Sequence, residues 1–183
     1  SFSFERTELV LTCKMDGCER VDSLYMFEFN GIVFNKISST QKLEDGSYQF
    51  KMPMLQSPRF YYVGNSIQSL KPIILGTEKE LSLSGPCINF RGARVKSSTL
   101  NEDYFKLKNL MNRQKGEFNS LHKKLQFAGR DSAKVSQLKS QIKVIDDKRI
   151  ALLDSLKKTN PYLAHVAAFN TYLSYFNYGA GYP

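Results

Sequence analysis

Long apolar runs are absent from this 183-residue chain, and so is the dense cysteine pattern of small secreted scaffolds. No stretch approaches the roughly 18 to 20 apolar residues that a membrane-spanning helix needs, so no transmembrane segment is predicted. The chain opens at Ser1 without a basic and then apolar leader, which indicates that any encoded targeting segment has been removed. Three cysteines allow at most one disulfide within the chain, so cysteine count does not decide the compartment.

Motifs of catalysis are also missing, because no Gly-rich phosphate loop, nucleophile elbow or helical metal-binding motif occurs. The only two histidines, His122 and His165, are too isolated to predict a triad or a metal centre. His122 flanks a helical seam and is expected in solvent. His165 is expected to pack against the aromatic stripe that shares its helix face, Tyr162, Phe169, Tyr172 and Phe176. No catalytic, cofactor-binding or metal-binding residue is therefore predicted.

Neighbouring carboxylates invite an acid and base interpretation at Asp146 and Asp147. Basic residues surround them in the sequence, namely Lys143, Lys148 and Arg149. Asp154 lies four residues before Lys158, which is the spacing of an ion pair on one helix face. Surface ion pairs therefore account for these carboxylates.

The first half of the chain alternates between apolar and polar residues, which is typical of strands with one buried face. Leu9, Leu11, Cys13 and Met15 share one face of a first strand. Asn30-Gly31 predicts a tight hairpin turn, because both of its central positions need a positive φ. The later alternating runs bring the total to about seven short strands. Residues 1–97 are therefore predicted to form an antiparallel β-sandwich.

The second half, residues 98–183, has helical periodicity. One seam contains Leu100, Tyr104, Leu107, Met111, Gln114, Phe118, Leu121 and Leu125, and a second contains Val135, Leu138, Ile142, Ile145, Arg149, Leu152 and Leu156. Thr99 with Glu102 predicts a capping box at the first helix, and Ser132 predicts the cap of the second after a break at Gly129. The two seams predict a long antiparallel helical hairpin. Asn160-Pro161 predicts the start of a third helix that runs to about Phe176.

The stretch "CKMDGC" at residues 13–18 raises the question of a redox or metal site. Its C-x4-C spacing matches neither a C-x-x-C redox motif nor a zinc knuckle. With Asp16-Gly17 as a hairpin turn, Cys13 and Cys18 are diagonal neighbours, about 7 to 8 Å apart and beyond usual disulfide range. Cys13 is therefore expected in the core, while a local disulfide or one to Cys87 stays open.

Positive charge is concentrated in the second half, with 14 Lys and Arg against 7 Asp and Glu, compared with 12 against 10 in residues 1–97. Its basic residues include Lys106, Lys108, Arg113, Lys115, Lys123, Lys124, Lys139, Lys143 and Lys148. They are spread around the helices without interleaved aromatic rings, which favours a solvated face over a nucleic-acid site. Nucleic acid is not expected as a partner.

Four stretches resemble the N-terminal accessory region of thioredoxin-like thiol–disulfide oxidoreductases from the envelope of Gram-negative bacteria. They are "LYMFEFNGIVFNKISS…LEDGSYQFKMP", "KPIILGTEKELSLSGP", "VKSSTLNEDYFKL" and "TNPYLAHVAAF". The resemblance implies a β-sandwich domain of unassigned function, a helical hairpin and then a thioredoxin-like domain that would begin after Pro183. It also implies a periplasmic or envelope location and protein thiols or disulfides as substrates of that later domain.

These observations predict a non-catalytic accessory module that positions or dimerises a downstream thioredoxin-like domain, with a homodimer as one possible partner state. The C-x-x-C dithiol of that family does not occur in this chain, so no catalytic residue is carried over. The alternative is a self-contained binding protein. It would take an extracellular ligand on the sandwich or an anionic polymer on the basic hairpin.

Overall fold

The computed structural model describes residues 7–76 and 78–168, which form eight strands followed by helices. The strands are β1 (Glu8–Asp16), β2 (Ser23–Phe29), β3 (Phe34–Gln41), β4 (Tyr48–Pro53), β5 (Arg59–Ser66), β6 (Ser69–Leu75), β7 (Glu80–Pro86) and β8 (Arg94–Lys96). A 3₁₀ turn, Phe90–Gly92, separates β7 from β8, and the helices are α1 (Thr99–Phe127), α2 (Ser132–Thr159) and a third at residues 161–168. The predicted α+β fold is confirmed, with eight strands where about seven were expected.

Two four-stranded sheets contain these strands, in the orders β4-β1-β7-β8 and β3-β2-β5-β6. Neighbouring strands are antiparallel in every pair except β1 with β7, which run parallel from Val10 opposite Glu80 to Asp16 opposite Pro86. A parallel pair needs a long crossover, here the chain from β2 to β6. The parallel pair departs from the predicted all-antiparallel sandwich.

One apolar core lies between the inner faces of the two sheets. The predicted inner face of β1 is confirmed, since Leu9, Leu11 and Cys13 are fully buried and Met15 is buried. The opposite sheet contributes Leu24, Met26, Tyr61, Val63, Ile73 and Leu75. Alternation of side chains along each strand explains why every second residue of β1 belongs to this core.

The turn after β2 differs from the one that the sequence predicts. Gly31 has a positive φ of 95°, but Asn30 does not, and the connection contains four residues, 30–33. The Asn30 side chain instead accepts hydrogen bonds from the backbone N–H groups of Ile32 at 3.0 Å and Val33 at 2.9 Å. Asn30 therefore closes the hairpin through its side-chain oxygen, as asparagine often does in turns.

The two long helices form the predicted hairpin, and their seams face each other. Residues 128–131 connect α1 with α2, and Gly129 there has a φ of 61°. Burial follows the predicted seams of the hairpin, where Leu107, Gln114, Phe118, Leu138, Ile145 and Arg149 are buried. The Arg149 guanidinium carbon lies 5.0 Å from the centre of the Phe118 ring, so the seam of α2 contacts the seam of α1 at this point.

Both predicted helix caps are wrong by one residue. Ser98, rather than Thr99, precedes the first helical residue, and its hydroxyl accepts the Asn101 N–H at 3.2 Å. Asp131, rather than Ser132, caps α2 and accepts the Lys134 N–H at 3.1 Å. Each cap lies beside another residue that also favours capping, so composition alone could not choose between them.

The third helix begins as predicted, because Asn160 Oδ1 accepts the Leu163 N–H at 3.1 Å. Its predicted end near Phe176 lies outside the described residues. None of the helices in the described ranges is long and apolar enough to cross a membrane.

Contacts divide the chain into two compact units, Ser1–Asp103 and Tyr104–Pro183. The division falls within the first turns of α1 because these turns are tied to the sandwich. Asn101 Oδ1 accepts the Ile74 N–H at 2.8 Å, and Asn101 Nδ2 donates to the Ile74 carbonyl at 2.7 Å. Since β6 is an edge strand, this side chain supplies the hydrogen bonds that a further strand would supply.

Candidate functional site

Two cysteines of the chain form a disulfide between Cys18 and Cys87, with their Cα atoms 5.4 Å apart. The expected hairpin at Asp16-Gly17 is wrong, because β1 pairs with β4 and β7 and the chain continues into the other sheet. Parallel strands end at the same edge of a sheet, so the residues that follow Asp16 and Pro86 come close together. The Cys87 N–H also donates to the Asp16 carbonyl at 2.7 Å.

The disulfide is buried, since Cys18 is 5% and Cys87 is 3% exposed. The remaining thiol, Cys13, is free and fully buried in the core, as the sequence predicts. Burial raises the pKa of the Cys13 thiol to about 12, so the thiolate is scarce at neutral pH. The "CKMDGC" stretch therefore holds the inert thiol of Cys13 and one half of the Cys18–Cys87 disulfide, which we call the staple.

His122 is half-buried, which differs from the solvated position that the sequence predicts. Its ring stacks on Phe118, with ring centres 6.2 Å apart and planes 5° apart, and its Nε2 lies 3.4 Å from the Gln126 amide nitrogen. The side chain thus belongs to the edge of the seam. His165 is exposed, and the aromatic partners expected for it at 169, 172 and 176 lie outside the described residues.

The paired carboxylates take part in ion pairs along α2. Lys143 Nζ lies 2.8 Å from Asp147 Oδ2, and Arg149 Nη1 lies 3.7 Å from Asp146 Oδ1. Burial raises the pKa of Asp146, against the opposing effect of the nearby Arg149 charge. Asp154 pairs with Lys157 at 4.0 Å, where the sequence predicted Lys158. The ion pairs expected for these carboxylates are thus present on α2, with a different partner for Asp154.

A groove of about 620 Å³ runs between the two helices of the hairpin. Leu121, Val144 and Ile145 supply apolar walls, and Glu117 and Lys148 supply one charge of each sign. The predicted basic residues of the hairpin are all exposed: Lys106, Lys108, Arg113, Lys115, Lys123, Lys124, Lys139, Lys143 and Lys148. The groove thus offers no concentrated positive charge, although the helices around it are basic.

A second group of residues lies on the outer face of the sheet β3-β2-β5-β6, and we call it the aromatic surface: Tyr25, Phe29, Phe34, Lys36 and Tyr62. The Phe34 ring centre lies 4.7 Å from that of Phe29 and 5.0 Å from that of Tyr62. Lys36 Nζ lies 4.5 Å from the centre of the Tyr25 ring. None of the five belongs to the core between the sheets.

Sequence analysis did not identify the aromatic surface, although one signal was present. The run "LYMFEF" is apolar at its first four positions, so both faces of β2 carry large side chains. Leu24 and Met26 take the core face, which leaves Tyr25 and Phe29 for the outer face. Burial of Tyr62 raises the pKa of its phenol, so the hydroxyl stays protonated and can donate a hydrogen bond.

Within residues 7–76 and 78–168, no group of three or more His, Cys, Asp or Glu side chains is placed to hold a metal ion. The geometry of the described chain therefore offers a stapled sandwich, a partly exposed aromatic surface and a basic helical hairpin. No family model, curated protein or solved structure shows a detectable similarity to this chain.

Proposed function

We propose that this chain is a non-catalytic interaction module of an envelope protein, and that it positions a thioredoxin-like thiol–disulfide oxidoreductase domain. The observation that carries the proposal is the buried Cys18–Cys87 disulfide. Disulfides persist in oxidising compartments such as the periplasm, which is where the resembled oxidoreductases act. The staple suits a module that stays folded beside an enzyme that exchanges disulfides.

Burial of every cysteine favours a non-catalytic role for this region. Thiol–disulfide exchange begins with attack by an accessible thiolate on an accessible disulfide sulfur. Cys13 is fully buried with a raised pKa, and Cys18 and Cys87 are almost fully buried. The chain can thus stand next to a reactive dithiol without competing for its substrates.

The coding sequence beyond Pro183 tests the link to an oxidoreductase. We expect a C-x-x-C motif after a strand, within a domain of thioredoxin-like periodicity. The full-length protein should then reduce insulin disulfides in the presence of dithiothreitol, whereas the 183-residue chain should match the reagent alone. A stop codon shortly after Pro183, or insulin reduction by this chain itself, would overturn the proposal.

A second candidate function is binding of an anionic polymer by the helical hairpin. The exposure of its lysines, among them Lys106, Lys123 and Lys139, favours this function. Such binding releases counterions and weakens steeply as salt rises. Retention on a heparin column that persists above physiological salt would support it. Elution in the void volume at low salt would exclude it.

A further inference from the structure

The connection between β2 and β3, residues 30–33, exposes aliphatic side chains, and we call it the tip. Ile32 is 86% and Val33 is 49% exposed, and Phe29 beside the tip is 46% exposed. No charged residue occurs from Phe29 to Phe34. Isolated apolar residues are ordinary at protein surfaces, but consecutive ones on one exposed turn indicate a contact surface.

Three of the four backbone N–H groups at the tip are paired within the tip. The Ile32 and Val33 N–H groups donate to Asn30 Oδ1, and the Asn30 N–H donates to the Val33 carbonyl at 3.3 Å. Unpaired backbone groups are what makes the entry of a loop into an apolar phase costly. Pairing of these three N–H groups lowers the cost at which the turn and its exposed aliphatic side chains leave water.

The type of side chain changes in a regular order along the strands that lead away from the tip. Phe29 of β2 and Phe34 of β3 are cross-strand neighbours next to the tip. Two residues further along the strands, Phe27 of β2 lies between Lys36 of β3 and Tyr62 of β5. Rows on one face of a strand are about 7 Å apart, since each residue advances the strand by about 3.3 Å. Aliphatic side chains thus come first and phenyl rings second, and the third row has an ammonium group and a phenol on either side of the buried Phe27 ring.

This order matches the layers of a bilayer surface. Aliphatic side chains enter the acyl region, aromatic rings occupy the headgroup boundary, and lysine reaches the phosphates. Arg59 is exposed and begins β5, which places it at the tip end because β5 is antiparallel to β2. Arg59 and Lys36 together place two cations near this end of the sheet, which favours an anionic membrane.

We propose that the β2–β3 tip and the aromatic surface behind it bind the surface of a lipid bilayer that contains anionic lipids. Ile32 and Val33 insert into the acyl boundary, the rings of Phe29, Phe34 and Tyr62 lie among the headgroups, and Lys36 and Arg59 contact lipid phosphates. A protein pocket could also accept an apolar tip, but it would not require rings and cations in successive layers. The inference is independent of which domain the module positions.

Cosedimentation with vesicles of phosphatidylcholine and about 30 mol% phosphatidylglycerol tests the proposal, with the 183-residue chain as the probe. Ile32→Asp is expected to lower the partition coefficient by about tenfold or more, because a carboxylate replaces the inserting side chain. Ile88→Asp is the matched control, since Ile88 is 91% exposed elsewhere on the sandwich and the charge change is identical. Its partition should stay within about twofold of that of the parent chain.

Fluorescence provides a second readout, because the chain contains no tryptophan. Ile32→Trp and Ile88→Trp each introduce a single indole at an exposed site. Vesicles are expected to shift the emission of the residue 32 indole to shorter wavelength and to leave that of the residue 88 indole unchanged. Lys36→Gln should weaken binding to anionic vesicles and reduce its dependence on salt.

Three results would overturn the inference. The first is a parent chain that stays in the supernatant with anionic vesicles at low salt. The second is an equal loss for Ile32→Asp and Ile88→Asp, which would reduce the effect to net charge. The third is a blue shift of the residue 32 indole that needs no vesicles and grows with protein concentration, since the tip would then be docking on a second copy of the chain.

Discussion

At the residue scale, burial decides the chemistry of the cysteines more than their spacing does. Sequence reasoning placed Cys13 correctly, because its alternation with Leu9, Leu11 and Met15 is a local property of one strand. It could not choose a partner for Cys18, because that choice depends on the non-local pairing of β1 with β7. In a hairpin at Asp16-Gly17, the same spacing would have made Cys13 and Cys18 diagonal neighbours on paired strands.

The buried Cys13 thiol should resist alkylation in the folded protein. Its pKa is raised to about 12 by burial and its side chain is fully buried, so both thiolate population and access are low. With iodoacetamide at pH 8 and no reductant, mass spectrometry should detect no label on the native chain. In urea it should detect a single label, on Cys13. Rapid labelling of the native chain would contradict this burial.

Asn101 should contribute strongly to the stability of the sandwich unit. Asn101→Ala leaves the Ile74 N–H and carbonyl, both in a fully buried residue, without their partners. A loss of about 2 to 4 kcal/mol in the free energy of unfolding is expected, measured by urea denaturation. Asn109→Ala is the control, because Asn109 is exposed on the same helix and should change stability by only about 0.5 kcal/mol. Equal effects of the two substitutions would remove this role.

At the element scale, periodicity predicted the helices well and their exact starts less well. The seams of α1 and α2 follow from spacings of three and four, which reflect the geometry of any α-helix. The starts depend on single hydrogen bonds, such as those accepted by Ser98 and Asp131. Where two capping residues are adjacent, tertiary contacts make the choice, here through the bond between Ser98 and Glu78 at 2.6 Å.

Gln114 interrupts the apolar seam of the hairpin at a cost in stability. Its Oε1 is buried and accepts no hydrogen bond within the described residues. Gln114→Met retains the length of the side chain and removes the unpaired oxygen, so it should raise the free energy of unfolding by about 1 kcal/mol. Thermal denaturation followed by circular dichroism measures the change.

Gln137→Met is the control for this substitution, because Gln137 is exposed on α2 and has no buried oxygen to remove. It should shift stability by at most about 0.5 kcal/mol. A gain at residue 137 equal to that at residue 114 would attribute the effect to helix propensity. A loss at residue 114 would mean that its oxygen has a partner in solution.

The sheets show the limit of reasoning from strand patterns. Alternation identified the core face of β1, but it carried no information on which strands are neighbours. The pairing of β1 with β7 joins residues about 70 positions apart, and only the packing of all eight strands selects it. The aromatic surface was missed for a related reason, because an outer face with large side chains breaks the alternation that predicts strands.

At the scale of the whole molecule, the chain combines a disulfide-stapled unit with a helical unit that contains no cysteine. The disulfide joins residues 69 apart in the sequence, and both lie in the sandwich unit. In the chain-entropy view, a cross-link over a loop of that length raises the free energy of the unfolded chain by about 4 kcal/mol, because it lowers that chain's conformational entropy. No disulfide lies within the hairpin unit, since all three cysteines belong to residues 1–103.

Removal of the staple should therefore destabilise one unit selectively. The double variant Cys18→Ala and Cys87→Ala is expected to lower the free energy of opening of the sandwich amides by about 2 to 4 kcal/mol. Amides in the middle of α1 and α2 should be unchanged, because their protection comes from the seam around Phe118 and Arg149. Native-state hydrogen exchange followed by mass spectrometry resolves the two units peptide by peptide.

Cys13→Ala separates the staple from the mere loss of buried sulfur, since it removes one core sulfur and leaves the disulfide intact. Its effect should be about 1 kcal/mol and should also be confined to the sandwich. If the double variant increased exchange equally in β1 and in α2, the two units would unfold as one. A selective loss instead means that loss of the disulfide weakens the sandwich while the helical hairpin stays folded, so the redox poise of the compartment acts on the stability of the sandwich unit alone.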